Sequence, residues 1–136
     1  MNYTWYNYRV SRESDNWYKI ATRDLKYAHD NFSMGNYPLS IEKCHDSLEK
    51  LLKAIISFNG NKVQKIHDLL RLTSEALIDN LQNDIKVVLD DMDSCYFTLR
   101  YPVDIDEVEE DFGKEKAEEI LKETNRIFKW LEKKIK

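Results

Sequence analysis

Glycine and proline are scarce in this chain of 136 residues, which contains 3 of the first and 2 of the second. An all-β protein of this length needs many turn residues, so tight-turned strands are excluded as the main architecture and long helices with few connections are expected. Cysteine is equally sparse. Cys44 and Cys95 cannot build a disulfide framework, and both fall on or beside apolar helix faces, where a free thiol behaves as a small hydrophobe. No apolar run reaches the roughly eighteen residues needed to cross a bilayer. The stretch Met1 to Val10 also lacks the basic start and apolar centre of a secretory signal. A cytoplasmic protein with no membrane contact is the expectation.

Local chemical signatures are missing as well. His29, His45 and His67 fall on three different helices with no HxxxH or CxxC spacing, so neither a metal site nor a cofactor is expected. The glycines are single and far apart, which excludes a Walker or Rossmann phosphate loop. No local Ser-His-Asp or Cys-His signature points to a hydrolase. The formal charge of −4 is uneven. Residues 1–75 hold 11 Lys+Arg against 9 Asp+Glu, and residues 76–136 hold 10 against 16, giving +2 in front and −6 behind. Neither value makes an electrostatic trap for nucleic acid, so any RNA contact has to be local.

What is present is helical periodicity over one domain's length with 42% hydrophobic residues, enough to close a single core. Apolar residues at three-and-four spacing predict a helix over Asp15 to Ser33, with Ser14 or Asp15 as its cap. A second is predicted over Tyr37 to Phe58, a short third from near Lys65 with Ile66, Leu69, Leu70, Thr73, Ala76 and Leu77 inward, and a fourth over Asn83 to Leu99. Arg100-Tyr101-Pro102 ends the fourth, because the residue before proline avoids the helical region. An acidic connection then leads to a last helix over Lys114 to Lys134. The reading is an all-α, antiparallel up-and-down helical bundle of four to five helices spanning 15–136. Residues 1–14 form an aromatic N-terminal segment whose Tyr3, Trp5, Tyr6 and Tyr8 are expected to pack, on a dimer mate or over an exposed end of the core, rather than stack bases.

Polar residues interrupt the apolar stripes. Asp24 occupies a position where the first helix predicts core, and buried carboxylates need partners. His45, Lys50 and Lys53 of the second helix, with His67 and Asp68 at the start of the third, are the candidates for one network. The competing reading leaves Asp24 solvated at the stripe's edge, Lys50 and Lys53 on a wet face, and Asp68 beside Lys65 at a helix start.

Trp17-Tyr18-Lys19-Ile20-Ala21 leading to Asp24-Leu25, then Asn36-Tyr37-Pro38, His45-Asp46-Ser47-Leu48-Glu49-Lys50-Leu51-Leu52-Lys53-Ala54, Gly60, His67-Asp68-Leu69-Leu70 and Tyr96 with Leu99-Arg100-Tyr101-Pro102 form an ordered set. In this order and at these distances the chain resembles the HEPN (higher eukaryotes and prokaryotes nucleotide-binding) domain family over about residues 15–131. The resemblance implies an antiparallel helical bundle, usually a homodimer. It also implies nucleotide or RNA contact and a minimal nucleotidyltransferase partner in a toxin-antitoxin-like pair.

Active HEPN ribonucleases carry an Arg, four to six residues, then a His. Arg100 occupies roughly that region, but no histidine follows it in the chain. Arg23 and His29 have five residues between them, yet both lie in the first helix, where six positions turn one side chain about 120° from the other. A cation alone lacks the general base and acid that RNA cleavage needs, and nine acidic residues between Asp90 and Asp111 flank Arg100. That acidic stretch suits a basic partner or a divalent cation, or is a solvated loop and helix start. Two readings stand: a non-catalytic nucleotide-binding or partner module with Asp24, His45, Lys50, Lys53, Asp68 and Tyr101 around its polar network, or a ribonuclease with a degenerate catalytic site of Arg100 and His67. A purely structural interaction domain is the third.

Overall fold

The computed structural model describes the backbone of residues 3–135 and the side chains of residues 11–135. Among them are six helices and no strand: α1 (Tyr3–Ser33), α2 (Tyr37–Phe58), α3 (Leu69–Glu75), α4 (Asn83–Arg100), α5 (Ile105–Asp111) and α6 (Lys114–Glu132). They form an all-α bundle with α2 at its centre, packed against α1, α3, α4 and α6. The sequence of α2 explains that place. Ile41, Cys44, Leu48, Leu51, Leu52, Ala54, Ile55 and Ile56 are buried over rather more than half its circumference, and buried His45, Glu49, Lys53 and Ser57 carry the burial round most of the rest, the pattern of a helix enclosed by others.

The turns follow backbone chemistry. At the end of α1, Gly35 takes φ +79° while its N–H and that of Asn36 donate to the carbonyls of Phe32 and Asn31. The same arrangement closes α2, where Gly60 takes φ +83° and Asn61 N–H donates to Ile56 O. Both satisfy last-turn carbonyls through a left-handed residue that glycine tolerates. The three-residue turn after α1 reverses the chain, so α1 and α2 run antiparallel.

Four boundaries differ from expectation. Helix α1 begins at Tyr3 and runs through Ser14 and Asp15. Ser14 does not cap; it is buried and donates its hydroxyl to Ala54 O at 3.0 Å. The expected packing of Tyr3, Trp5, Tyr6 and Tyr8 concerns side chains outside the described residues. Helix α3 begins at Leu69, not near Lys65, because Asp68 takes an extended conformation and caps it, accepting from Arg71 N. Leu77, expected on the inner face, is 66% exposed with φ +56°, since α3 ends at Glu75 and its closing turn needs a left-handed residue.

The acidic connection holds an additional helix, α5. Asp104 caps it by accepting from Asp106 N and Glu107 N at 2.9 and 3.3 Å, and Val108 and Phe112 turn into the core. Acidic side chains in its first turn suit the helix dipole. Helix α6 ends at Glu132, short of the expected Lys134. No described helix is long and apolar enough to cross a membrane.

Candidate functional site

The facing sides of α2 and α4, with the loop before α3, enclose a polar cluster within the apolar bundle. Glu49 is at its centre and is 1% exposed. Its Oε2 accepts from Lys53 Nζ at 3.0 Å and Lys50 Nζ at 3.3 Å, and its Oε1 lies 3.1 Å from His67 Nδ1. Burial alone would push this carboxyl's pKa up, but Lys50, Lys53 and His67 outweigh it and hold the group below its ordinary range. Glu49 and Lys53 are one helical turn apart, so the pair forms within α2. Lys53 is only 5% exposed and its ammonium also lies 5.5 Å from the Trp17 ring of α1.

A second carboxylate, Asp93 of α4, ties the other side together. Its Oδ1 lies 2.9 Å from Nε2 of the buried His45, and its oxygens accept from the backbone N–H of Leu69 at 2.9 and 3.1 Å and of Leu70 at 3.4 Å. Asp93 thus reinforces the start of α3 from a neighbouring helix. Burial raises its pKa, while the bonds from His45 and Leu69 lower it further, so the carboxyl stays ionised. Asp68 beside it is pushed up by burial and by the hydrogen bond with Asp93.

One aromatic ring joins the histidines to the arginine. Tyr96 stacks on His45 at 4.0 Å between centroids, meets His67 at 6.1 Å, and has the Arg100 guanidinium 5.3 Å from its centroid. Helical spacing explains the sharing, since Asp93, Tyr96 and Arg100 recur at three and four residues along α4. The site therefore has buried Glu49 and half-buried Asp93 beneath an outer rim of His67 and Arg100, two residues that the sequence leaves far apart.

Of the residues expected in the network, His45, Lys50, Lys53, His67 and Asp68 are brought together with Arg100, and Lys53 is not on a wet face. Asp24 is 5% exposed but makes no hydrogen bond or salt bridge among the described residues. It borders the cluster electrostatically: burial and the charge of Asp46 raise its pKa against the opposing pull of Lys43, Lys50 and Arg23. Tyr101 does not join. It is 68% exposed and faces the Phe97 ring at 5.2 Å. Arg23 and His29 are both exposed; His29 bonds Asn125 at 2.9 Å and Arg23 lies over Tyr27 at 6.0 Å, so the spacing that resembles the nuclease motif brings the two together in no site.

The acidic field around Arg100 is partly structural. Asp93 faces inward, Asp104 caps α5, and Asp91 accepts from Lys116 at 2.7 Å. The residues that sequence reasoning passed over as site members are Glu49, Asp93 and Tyr96. Glu49 is four residues from both His45 and Lys53, a spacing that places all three on one side of α2 and could have singled it out. Asp93 gives no such signal, because its role depends on which helix α4 meets.

The arrangement can present a cation and an imidazole to an anionic ligand across an aromatic ring. Since Glu49 is ionised, His67 donates to it through Nδ1, which leaves Nε2 as the ring nitrogen not committed to that contact, on a side chain that is 61% exposed.

The sequence profile of the HEPN domain matches residues 14–134. No match is found among curated proteins. Among solved structures, TT1696 from Thermus thermophilus superposes with a TM-score of 0.77 at 22% identity, covering 90% of this chain and 98% of that one. ST0689, described as an archaeal HEPN homologue, superposes with a TM-score of 0.74 at 25% identity, covering 91% of this chain and 98% of that one.

Proposed function

Since the chain belongs to the HEPN domain family, we propose that it works in the cytoplasm as a nucleotide- or RNA-binding module, partnered by a minimal nucleotidyltransferase in a toxin-antitoxin-like pair. The observation that carries this reading is the convergence of His67 and Arg100 on the Tyr96 ring. A guanidinium beside an exposed imidazole pairs with phosphate oxygens, and an aromatic edge supports a base or ribose. Buried Glu49 and half-buried Asp93 fix the positions of the two histidines, so little freedom is lost on binding. Domain 15–136 is the binding unit in this reading.

Phe97, Tyr101, Val103 and Ile105 are all exposed at the end of α4 and the turn after it. These apolar side chains, next to Arg100, are the surface proposed for a homodimer, which would set two Arg100 side chains near one cleft. Light scattering on Phe97→Asp, expected to be monomeric, tests that part. Calorimetric titration with ATP and with a short single-stranded RNA tests the binding. Arg100→Ala and Tyr96→Leu are expected to weaken affinity at least tenfold, and unchanged affinity in both would refute the site.

One observation favours a second reading. A carboxylate-oriented histidine with a free Nε2 is what a general base requires, and Arg100 supplies the cation for the phosphorane charge. In this second reading the pair supports metal-independent RNA cleavage, with His67 taking the 2′-hydroxyl proton and water or the resulting imidazolium returning a proton to the leaving 5′ oxygen. Cleavage of mixed RNA that persists without Mg²⁺ and disappears in both Arg100→Ala and His67→Ala would establish it. No cleavage by well-folded protein would leave the binding module.

A further inference from the structure

His45 is 1% exposed, and its Nδ1 is the buried side-chain nitrogen among the described residues that has no hydrogen-bond partner. Its other nitrogen is fully engaged. Nε2 lies 2.9 Å from Asp93 Oδ1, and that carboxylate also accepts from Leu69 and Leu70, so the hydrogen of the shared bond belongs to Nε2. Two states remain for Nδ1, and neither is satisfied. As a bare lone pair it faces a carboxylate; as an N–H it has Glu49 Oε1 at 3.9 Å, too far for a hydrogen bond.

A cation between Nδ1 and the carboxylates resolves both states. His45, Asp46 and Glu49 each offer one donor atom, and the three atoms lie within 4.8 Å of one another. We propose that His45 Nδ1 and the carboxylates of Asp46 and Glu49 bind a divalent transition-metal ion of the Zn²⁺ type. One imidazole and two carboxylates are a ligand set suited to Zn²⁺ or its neighbours in the first transition row. Asp93 supplies what such a histidine ordinarily has, a carboxylate on the nitrogen opposite the ligating one, which fixes the ring.

The remaining contacts leave room for that role. Both lysines bind Oε2 of Glu49, so Oε1 is the oxygen that faces the histidines. Asp46 is half-buried, with Lys43 at a long 3.5 Å, and gives the site its side open to solvent. His45, Asp46 and Glu49 sit at i, i+1 and i+4 of one helix, a spacing outside the HxxxH and CxxC patterns. The proposed ion shares Glu49 with the network that orients His67, since Oε1 also lies 3.1 Å from His67 Nδ1, but its binding is read without nucleotide or RNA and so stands or falls apart from theirs.

The test is titration of the chelator-treated full chain with Zn²⁺ by calorimetry and with Co²⁺ by visible absorption. A single saturable site is expected, weakened at least tenfold by Asp46→Asn and about 10–100-fold by Asp93→Asn. Zn²⁺ should also shift the ring-nitrogen NMR resonances of His45 in the unmodified chain, with Nδ1 responding as the ligating atom. Absence of saturable binding, or unmoved His45 resonances, would mean that a bridging water satisfies Nδ1 instead. Binding of equal strength in Asp46→Asn would put the ion elsewhere and overturn the site, and this variant decides the matter even if His45→Gln fails to fold.

Discussion

Asp93 Oδ1 lies 2.9 Å from His45 Nε2, and the same carboxylate receives the first backbone N–H groups of α3. One side chain of α4 therefore orients a buried imidazole of α2 and anchors a seven-residue helix that is otherwise held by its Asp68 cap and by buried Leu69 and Leu72. Asp93→Ala is expected to cost about 2–3 kcal/mol, combining a charge-assisted hydrogen bond with a lost helix cap. Asp93→Asn should cost less than half as much, since an amide oxygen still accepts. Urea unfolding measures both, and hydrogen exchange should show lost protection concentrated in α3.

Glu49 gives a second contrast. Removing it leaves the ammonium of Lys53, 5% exposed, without its carboxylate, the situation in which truncating one partner of a buried pair costs about 3–5 kcal/mol. Lys50 binds the same oxygen from a side chain that is 23% exposed, so Lys50→Ala should cost no more than about 1 kcal/mol. Equal losses in the two variants, read from denaturant midpoints, would show that burial does not govern this cluster.

The helices were largely legible in the sequence because their signals are local. The spacing of Ile85, Leu89 and Met92 fixes the face of α4, and glycines at 35 and 60 mark two ends correctly. Leu77 misled because an apolar residue in register gives no sign that the backbone has already left the helix. The site was legible only in part. His45, Lys50 and Lys53 stood out as polar residues on an apolar helix, whereas the meeting of His67 with Arg100 depends on Tyr96 and on how α2 and α4 pack. No pattern within one helix encodes that meeting.

Thiol chemistry separates the core from its surroundings. Burial pushes Cys44 up to about 12, and burial with the nearby Asp91 pushes Cys95 up to about 11, so neither thiol is ionised at neutral pH. A disulfide-exchange reagent at pH 8 should label neither cysteine rapidly in native protein and both in denaturant. Fast labelling of Cys44 in the native state would show that α2 opens locally.

Asp24 provides a pH test with an unusual sign. Its pKa is raised in the fold by burial and by Asp46, so the ionised form is disfavoured there relative to the unfolded chain. Such a group penalises the native state above its folded pKa, and the penalty fades as pH falls and the carboxyl is protonated in both states. Glu49 and Asp93, held low, act in the opposite direction: their stabilisation is present above the ordinary carboxyl range and is lost as pH falls through their depressed folded values. Asp24→Asn should accordingly unfold at higher urea than the unmodified chain at pH 7, with the advantage vanishing near pH 3. Both proteins should weaken together on acidification, because the other two carboxylates are unchanged. A variant less stable at pH 7 would mean that Lys43 and Lys50 draw more from the Asp24 charge than its burial costs.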